Sequence, residues 1–96
     1  MEIRVRGFLT LRKAMCDQSS LVVDLETPTI RCVLQELSNI FGEAFQDLLF
    51  DPDTGEARSH NIVLVNGRHC RNLPGGLDSK LKEGDEVALF PPVAGG

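Results

Sequence analysis

The chain has 96 residues, a formal net charge of -4, 42% hydrophobic residues, five Phe and neither Trp nor Tyr. That length fits one domain with a mainly aliphatic core, near the lower end of what holds together without disulfides or metals. The acidic balance excludes a role built on nucleic-acid phosphates, which requires clustered Lys and Arg.

Ile3, Val5, Gly7 and Leu9 alternate with Arg4, Arg6 and Phe8, the period-two pattern of a strand with one buried face, here over residues 2–9. A polar connection over residues 13–20 leads to a second alternation, Leu21, Val23 and Leu25 against Val22, Asp24 and Glu26, and the two strands should pair as an opening hairpin. Pro28 and Thr29 end that strand. Ile30, Val33, Leu34, Leu37, Ile40 and Phe41 then fall at helical spacing, with Thr29 or Thr27 as the cap and Gly42 as the stop. Ala44, Phe45, Leu48 and Leu49 predict a short second helix, and Asp51-Pro52-Asp53-Thr54-Gly55 a plain turn. A calcium loop would need a later glutamate that is not at the required spacing.

Ile62 to Val65 is apolar and β-branched enough for a central strand, and Asn66-Gly67 is a strong hairpin signal leading into Arg68, His69 and Cys70. Pro74-Gly75-Gly76 reads as a turn, since no Gly-Lys-Ser/Thr and helix follow it, and Leu77 to Leu81 as a helical turn. Lys82 to Asp85 turns the chain once more. Glu86 to Phe90 forms the last strand, halted by Pro91 and Pro92, which cannot donate to a ladder. One helix over one mixed sheet makes a two-layer α+β domain. By parity Phe8 shares a face with Arg4 and Arg6, and Phe90 with Ala88, opposite the buried set.

Internal catalytic constellations are absent from the pattern. His60 and His69 sit on different elements and no Ser, His and Asp grouping stands out. The neighbouring pair His69 and Cys70 reads as a surface histidine beside a buried thiol and not as a metal pair. Cys16, Cys32 and Cys70 are odd in number, widely spaced and without a Cys-x-x-Cys, so they are expected to be reduced thiols, with no metal site. With no signal-peptide pattern and no apolar run of spanning length, a cytoplasmic protein without a membrane partner is expected.

The tail is the one segment whose composition suits chemistry, against the plain alternative of a glycine-rich end with no role. Pro91-Pro92 favours an extended course, and Val93, Ala94, Gly95 and Gly96 would project roughly 12 Å from the sheet. With Gly96 read as the C-terminal residue, two glycines remove every side-chain clash around its carboxylate, so it could thread a narrow channel in a partner. The expected organisation is therefore a domain over residues 1–90 and a tail over 91–96.

The run Leu81-Lys82-Glu83-Gly84-Asp85-Glu86-Val87 followed by Leu89-Phe90-Pro91-Pro92-Val93-Ala94-Gly95-Gly96 resembles the end of the MoaD/ThiS-type sulfur carriers, more closely the molybdopterin synthase small subunit than the thiamine branch. The likeness extends through the opening strand, the Thr29-Ile30 helix start and the Val65-Asn66-Gly67-Arg68 hairpin. It implies a ubiquitin-like β-grasp fold, with the first and last strands parallel, and a protein co-substrate instead of an enzyme. An E1-like partner would use ATP to adenylate Gly96, and a sulfur donor would convert it to a thiocarboxylate. The sulfur would pass to a pterin precursor in the molybdopterin synthase large subunit, or to another acceptor for thiamine, cysteine or tRNA thiolation. A ubiquitin-like modifier joined to lysines through Gly96 and a plain interaction module are the other readings. The resemblance implies no bound cofactor and places partner docking on the open sheet face, with Phe8, Phe90, Arg4, Arg6 and His69 as candidates. The segment from Phe45 to His60 is longer than compact members need, and His69 stands where the family's docking face is more apolar.

Overall fold

The computed structural model describes residues 1–18, 20–26, 28–57 and 61–91. In chain order they form β1 (Glu2–Gly7), α1 (Leu9–Ala14), β2 (Ser20–Asp24), α2 (Ile30–Phe41), α3 (Glu43–Leu49), β3 (Ile62–Val65), β4 (Arg68–His69) and β5 (Glu86–Phe90), with 3-10 turns at Cys70–Asn72 and Gly76–Asp78. The sheet order is β2-β1-β5-β3-β4. β1 pairs antiparallel with β2 and parallel with β5, and β5 pairs antiparallel with β3. This is a ubiquitin-like β-grasp, a mixed sheet with helices on one face.

Strand parity builds the core. Ile3 and Val5 of β1, Val23 of β2, Val63 and Val65 of β3, and Val87 and Leu89 of β5 all point to the helix side and are buried. Ile30, Val33, Leu34 and Leu37 cover them from α2. Such apolar burial is the main driving force for the fold. Thr29 caps α2 as expected, its Oγ1 accepting from the Cys32 N–H at 3.2 Å. Gly42 closes the helix at a φ of 96°, a conformation that needs the missing Cβ, and its N–H reaches the Ser38 carbonyl at 2.8 Å. Thr27, the other candidate cap, lies outside the described residues.

The first connection differs from expectation. β1 stops at Gly7, and Leu9, read as a fourth strand position, is 65% exposed and opens α1 with a φ of 55°. Burial then follows the helical period instead, with Leu11 and Met15 enclosed and Ala14 packed against the core. A Cβ at Gly7 would stand 2.4 Å from Met15 Sδ, so the glycine lets Met15 pack directly on the strand.

The helical turn expected over Leu77 to Leu81 is instead a 3-10 turn at Gly76–Asp78, and Lys80 is drawn out of it into a β-bridge with Thr29; the hairpin and the acidic turn follow the reading. Asn66 and Gly67 both have positive φ, as a two-residue hairpin requires. Asp51 accepts from the Asp53 N–H at 2.8 Å, and Phe50 bridges Ala57, which closes the acidic stretch as a local turn. Residues 58–60, which include His60, lie outside the description. Among the described residues no helix is long and apolar enough to cross a membrane.

Candidate functional site

The sheet face opposite the helices is built by the complementary parity. Register places Val22, Arg4, Glu86 and Asn66 in one row across it, and Arg6, Ala88, Leu64 and His69 in the next. Phe90 stands opposite Ile62 in the third row. Phe8 joins that row from the end of β1, its ring stacked on Phe90 with centroids 4.3 Å apart and planes 6° from parallel. The Arg6 guanidinium carbon lies 5.1 Å from the Phe8 ring centroid, and Arg6 Nη1 is 3.6 Å from Glu86 Oε1. A cation over a ring that is itself stacked makes a preassembled apolar patch with a charged edge.

Phe8, Phe90 and Arg6 are thus brought together, and Arg4 shares their face two rows away. His69 occupies the same face but at its far edge on β4, where its Nδ1 accepts from the Arg71 N–H at 3.1 Å and ties the ring to its own turn. The residues not singled out from sequence are Ile62, Leu64 and Val22, the last 56% exposed. Their signal was available: a strand that is apolar at every position, Ile62 to Val65, carries hydrophobic side chains on both faces of a sheet that has helices on only one.

β5 is the central strand, and it runs directly into Pro91, which is buried. The patch therefore adjoins the end of β5. Pro92, Val93, Ala94, Gly95 and Gly96 lie outside the described residues.

Away from this face, a cavity of about 320 Å³ opens on the helix side, lined by Leu34, Leu49, Val63, Cys70 and Leu77 among others. Burial pushes the Cys70 thiol up from its ordinary value. Cys32, in the first turn of α2, is shifted the other way, chiefly by its side-chain hydrogen bond with Thr29. All three cysteines are free, and among the described residues no group of His, Cys, Asp and Glu is placed to hold a metal ion.

Residues 8–96 match the ThiS family. The chain belongs to the ThiS family. Small archaeal modifier protein 3 of Haloferax volcanii is 35% identical over 96 residues, covering all of both chains. A protein of Archaeoglobus fulgidus described as a sulfur carrier is also 35% identical, over 86% of this chain and 91% of its own. The solution structure of small archaeal modifier protein 1 from Methanosarcina acetivorans superposes with a TM-score of 0.85 at 29% identity, over 99% of this chain and 96% of that one. A ThiS-family member with these relatives is a ubiquitin-like protein of the sulfur-carrier and modifier class, and not a catalyst in its own right.

Proposed function

We propose that this protein carries sulfur as a thiocarboxylate on Gly96, for transfer to a pterin precursor in a molybdopterin synthase. The observation that carries the docking half of this reading is the Phe8–Phe90 stack, with Arg6 above it, on the open face beside the exit of β5. A partner that grips this patch holds the domain close to the root of the tail, and residues 91–96 then have the reach to enter its active site. An apolar patch framed by Arg4 and Arg6 suits a surface with apolar pockets and carboxylates at the rim.

The chemistry follows from the inertness of a carboxylate. An E1-like partner joins the Gly96 carboxylate to the α-phosphate of ATP, releasing pyrophosphate and leaving an acyl-adenylate. Hydrosulfide attacks the acyl carbon, the bond to AMP breaks, and a thiocarboxylate and a proton result. Its sulfur is anionic and nucleophilic near neutral pH, ready for the acceptor. The carrier supplies no side chain to any of these steps.

Mass spectrometry after incubation with the activating enzyme, ATP and sulfide tests the reading: replacement of oxygen by sulfur adds about 16 Da to the intact chain. Transfer to the pterin precursor in the presence of the synthase large subunit tests the acceptor, and its failure alongside a formed thiocarboxylate redirects the sulfur to another pathway. A second reading is favoured by the end-to-end likeness to an archaeal modifier protein. In that case a lysine amine attacks the same adenylate or a thioester made from it, and isopeptide conjugates appear in place of the 16 Da product.

A further inference from the structure

At the other end of β5 a cleft of about 710 Å³ lies between the β3–β4 hairpin and the segment leading to β5. Its lining includes the apolar side chains of Val65, Leu73 and Leu81, together with the cations Arg68, Lys80 and Lys82. Among the described residues none of these three cations is within ion-pair distance of a carboxylate. On a chain of net charge -4 these three cations against the single carboxylate of Asp85 make a locally positive site.

The nearby carboxylates are held by hydrogen bonds or ion pairs with groups other than these three cationic side chains. Asp85, among the described residues the one acidic residue lining the cleft, accepts from the Lys82 backbone N–H at 2.7 Å and from Asn66 Nδ2 at 3.0 Å. Asp78 pairs with Arg31 at 3.0 Å, and Glu83 accepts from the Glu2 backbone N–H. The walls are fixed by the same bonds: Leu81 donates to the Pro28 carbonyl at 2.8 Å, Lys80 bridges Thr29, and Ser79 Oγ accepts from Gly75 at 3.0 Å. The backbone is held while the three cationic side chains stay free.

We infer that this cleft is a second docking site, taking a segment of a partner protein in which an apolar side chain is flanked by carboxylates. The apolar lining receives the hydrophobic side chain and Arg68, Lys80 and Lys82 receive the acids. Among the described residues no aromatic ring lines the cleft for base stacking, which disfavours single-stranded nucleic acid. The strand rise places Asp85 roughly 16 Å from Phe90 along β5, so a segment bound here leaves the Phe8–Phe90 face open to another partner. Both contacts can be made at once.

The test is a titration of the full-length, isotope-labelled protein with a short synthetic peptide carrying one leucine between glutamates, followed by amide chemical shifts at low salt. Shifts are expected at Asn66, Arg68, Leu81 and Lys82. Binding should weaken by about tenfold in the triple variant Arg68→Gln, Lys80→Gln, Lys82→Gln, and equally when glutamines replace the glutamates of the peptide, as expected for the loss of three exposed ion pairs. The peptide exchange uses the unaltered protein, so the result does not depend on the variant folding. Shifts centred on Phe8 and Phe90, or undiminished binding of the glutamine peptide, overturn the inference. So does a stronger response of the same amides to oligo-uridine or inorganic phosphate than to the peptide. The experiment needs no activating enzyme or sulfide, and its outcome is independent of the sulfur-transfer reading.

Discussion

Truncating the stacked rings on the open face measures how far that face is assembled before any partner arrives. Phe8 and Phe90 are each half-buried, so Phe8→Ala or Phe90→Ala should cost about 1–2 kcal/mol, well below the cost of emptying a fully enclosed aromatic site. The 4.3 Å, near-parallel contact adds a pairwise term of about 1 kcal/mol that disappears when either ring is removed. The double variant should therefore be about 1 kcal/mol less destabilised than the two single losses added together. Urea unfolding followed by far-ultraviolet circular dichroism on the four proteins gives the coupling directly. Each single truncation should lower the thermal midpoint by about 4–8 °C per kcal/mol, given the size of the domain. Additivity within about 0.3 kcal/mol would refute the reasoning, because it would mean that the rings are solvated separately and the patch forms only on contact with a partner.

Removing the helix cap with Thr29→Ala should cost about 1 kcal/mol by leaving the Cys32 N–H without its acceptor, seen as a lower urea midpoint at unchanged slope. Gly7→Ala forces a methyl against the enclosed Met15 sulfur and should destabilise by about 1–3 kcal/mol; a calorimetric midpoint equal to that of the parent would show that Met15 moves aside freely. Iodoacetamide should label Cys32 ahead of Cys70 at mildly alkaline pH, because the Thr29 hydrogen bond favours the Cys32 thiolate while burial disfavours that of Cys70. The Cys32 rate should reach its plateau at a lower pH than that of Cys70, and peptide mapping that shows the reverse order contradicts both shifts. The same Cys32 shift makes a small stability contribution that grows as pH rises through its lowered folded value and is complete above the ordinary thiol range.

The elements that sequence expressed clearly are those whose periodicity is long or whose ends are chemically marked. α2 has Thr29 at its head and Gly42 at its foot, and Ile30, Val33, Leu34 and Leu37 of its expected apolar stripe are buried, whereas Ile40, at the edge of the stripe, is 50% exposed and Ser38 is buried beside them. α1 was hidden because Leu9 and Leu11 extend the alternation of Ile3, Val5 and Gly7 by two more steps. The helical relation of Leu11 to Ala14 and Met15 competes with that longer strand pattern, and the left-handed turn at Leu9 that decides between them belongs to a leucine, a residue with no preference for it. The parallel pairing of β1 with β5 joins residues more than eighty positions apart. No local pattern encodes it, and it came from family resemblance. At the site, parity was enough to put Phe8, Phe90, Arg4 and Arg6 on one face, whereas their convergence across two strands, with Ile62 and Leu64 beside them, required the register.

The position of β5 between β1 and β3 also governs how the domain bears force. A force applied at Pro91 along the axis of β5 acts on a strand hydrogen-bonded on both flanks, parallel on one side and antiparallel on the other. The load falls in shear on both ladders together, so they must yield together and cannot be peeled open one bond at a time. In the proposed carrier role, the residue that links domain to partner is thus rooted in a strand that two ladders hold, and not at a free edge of the sheet.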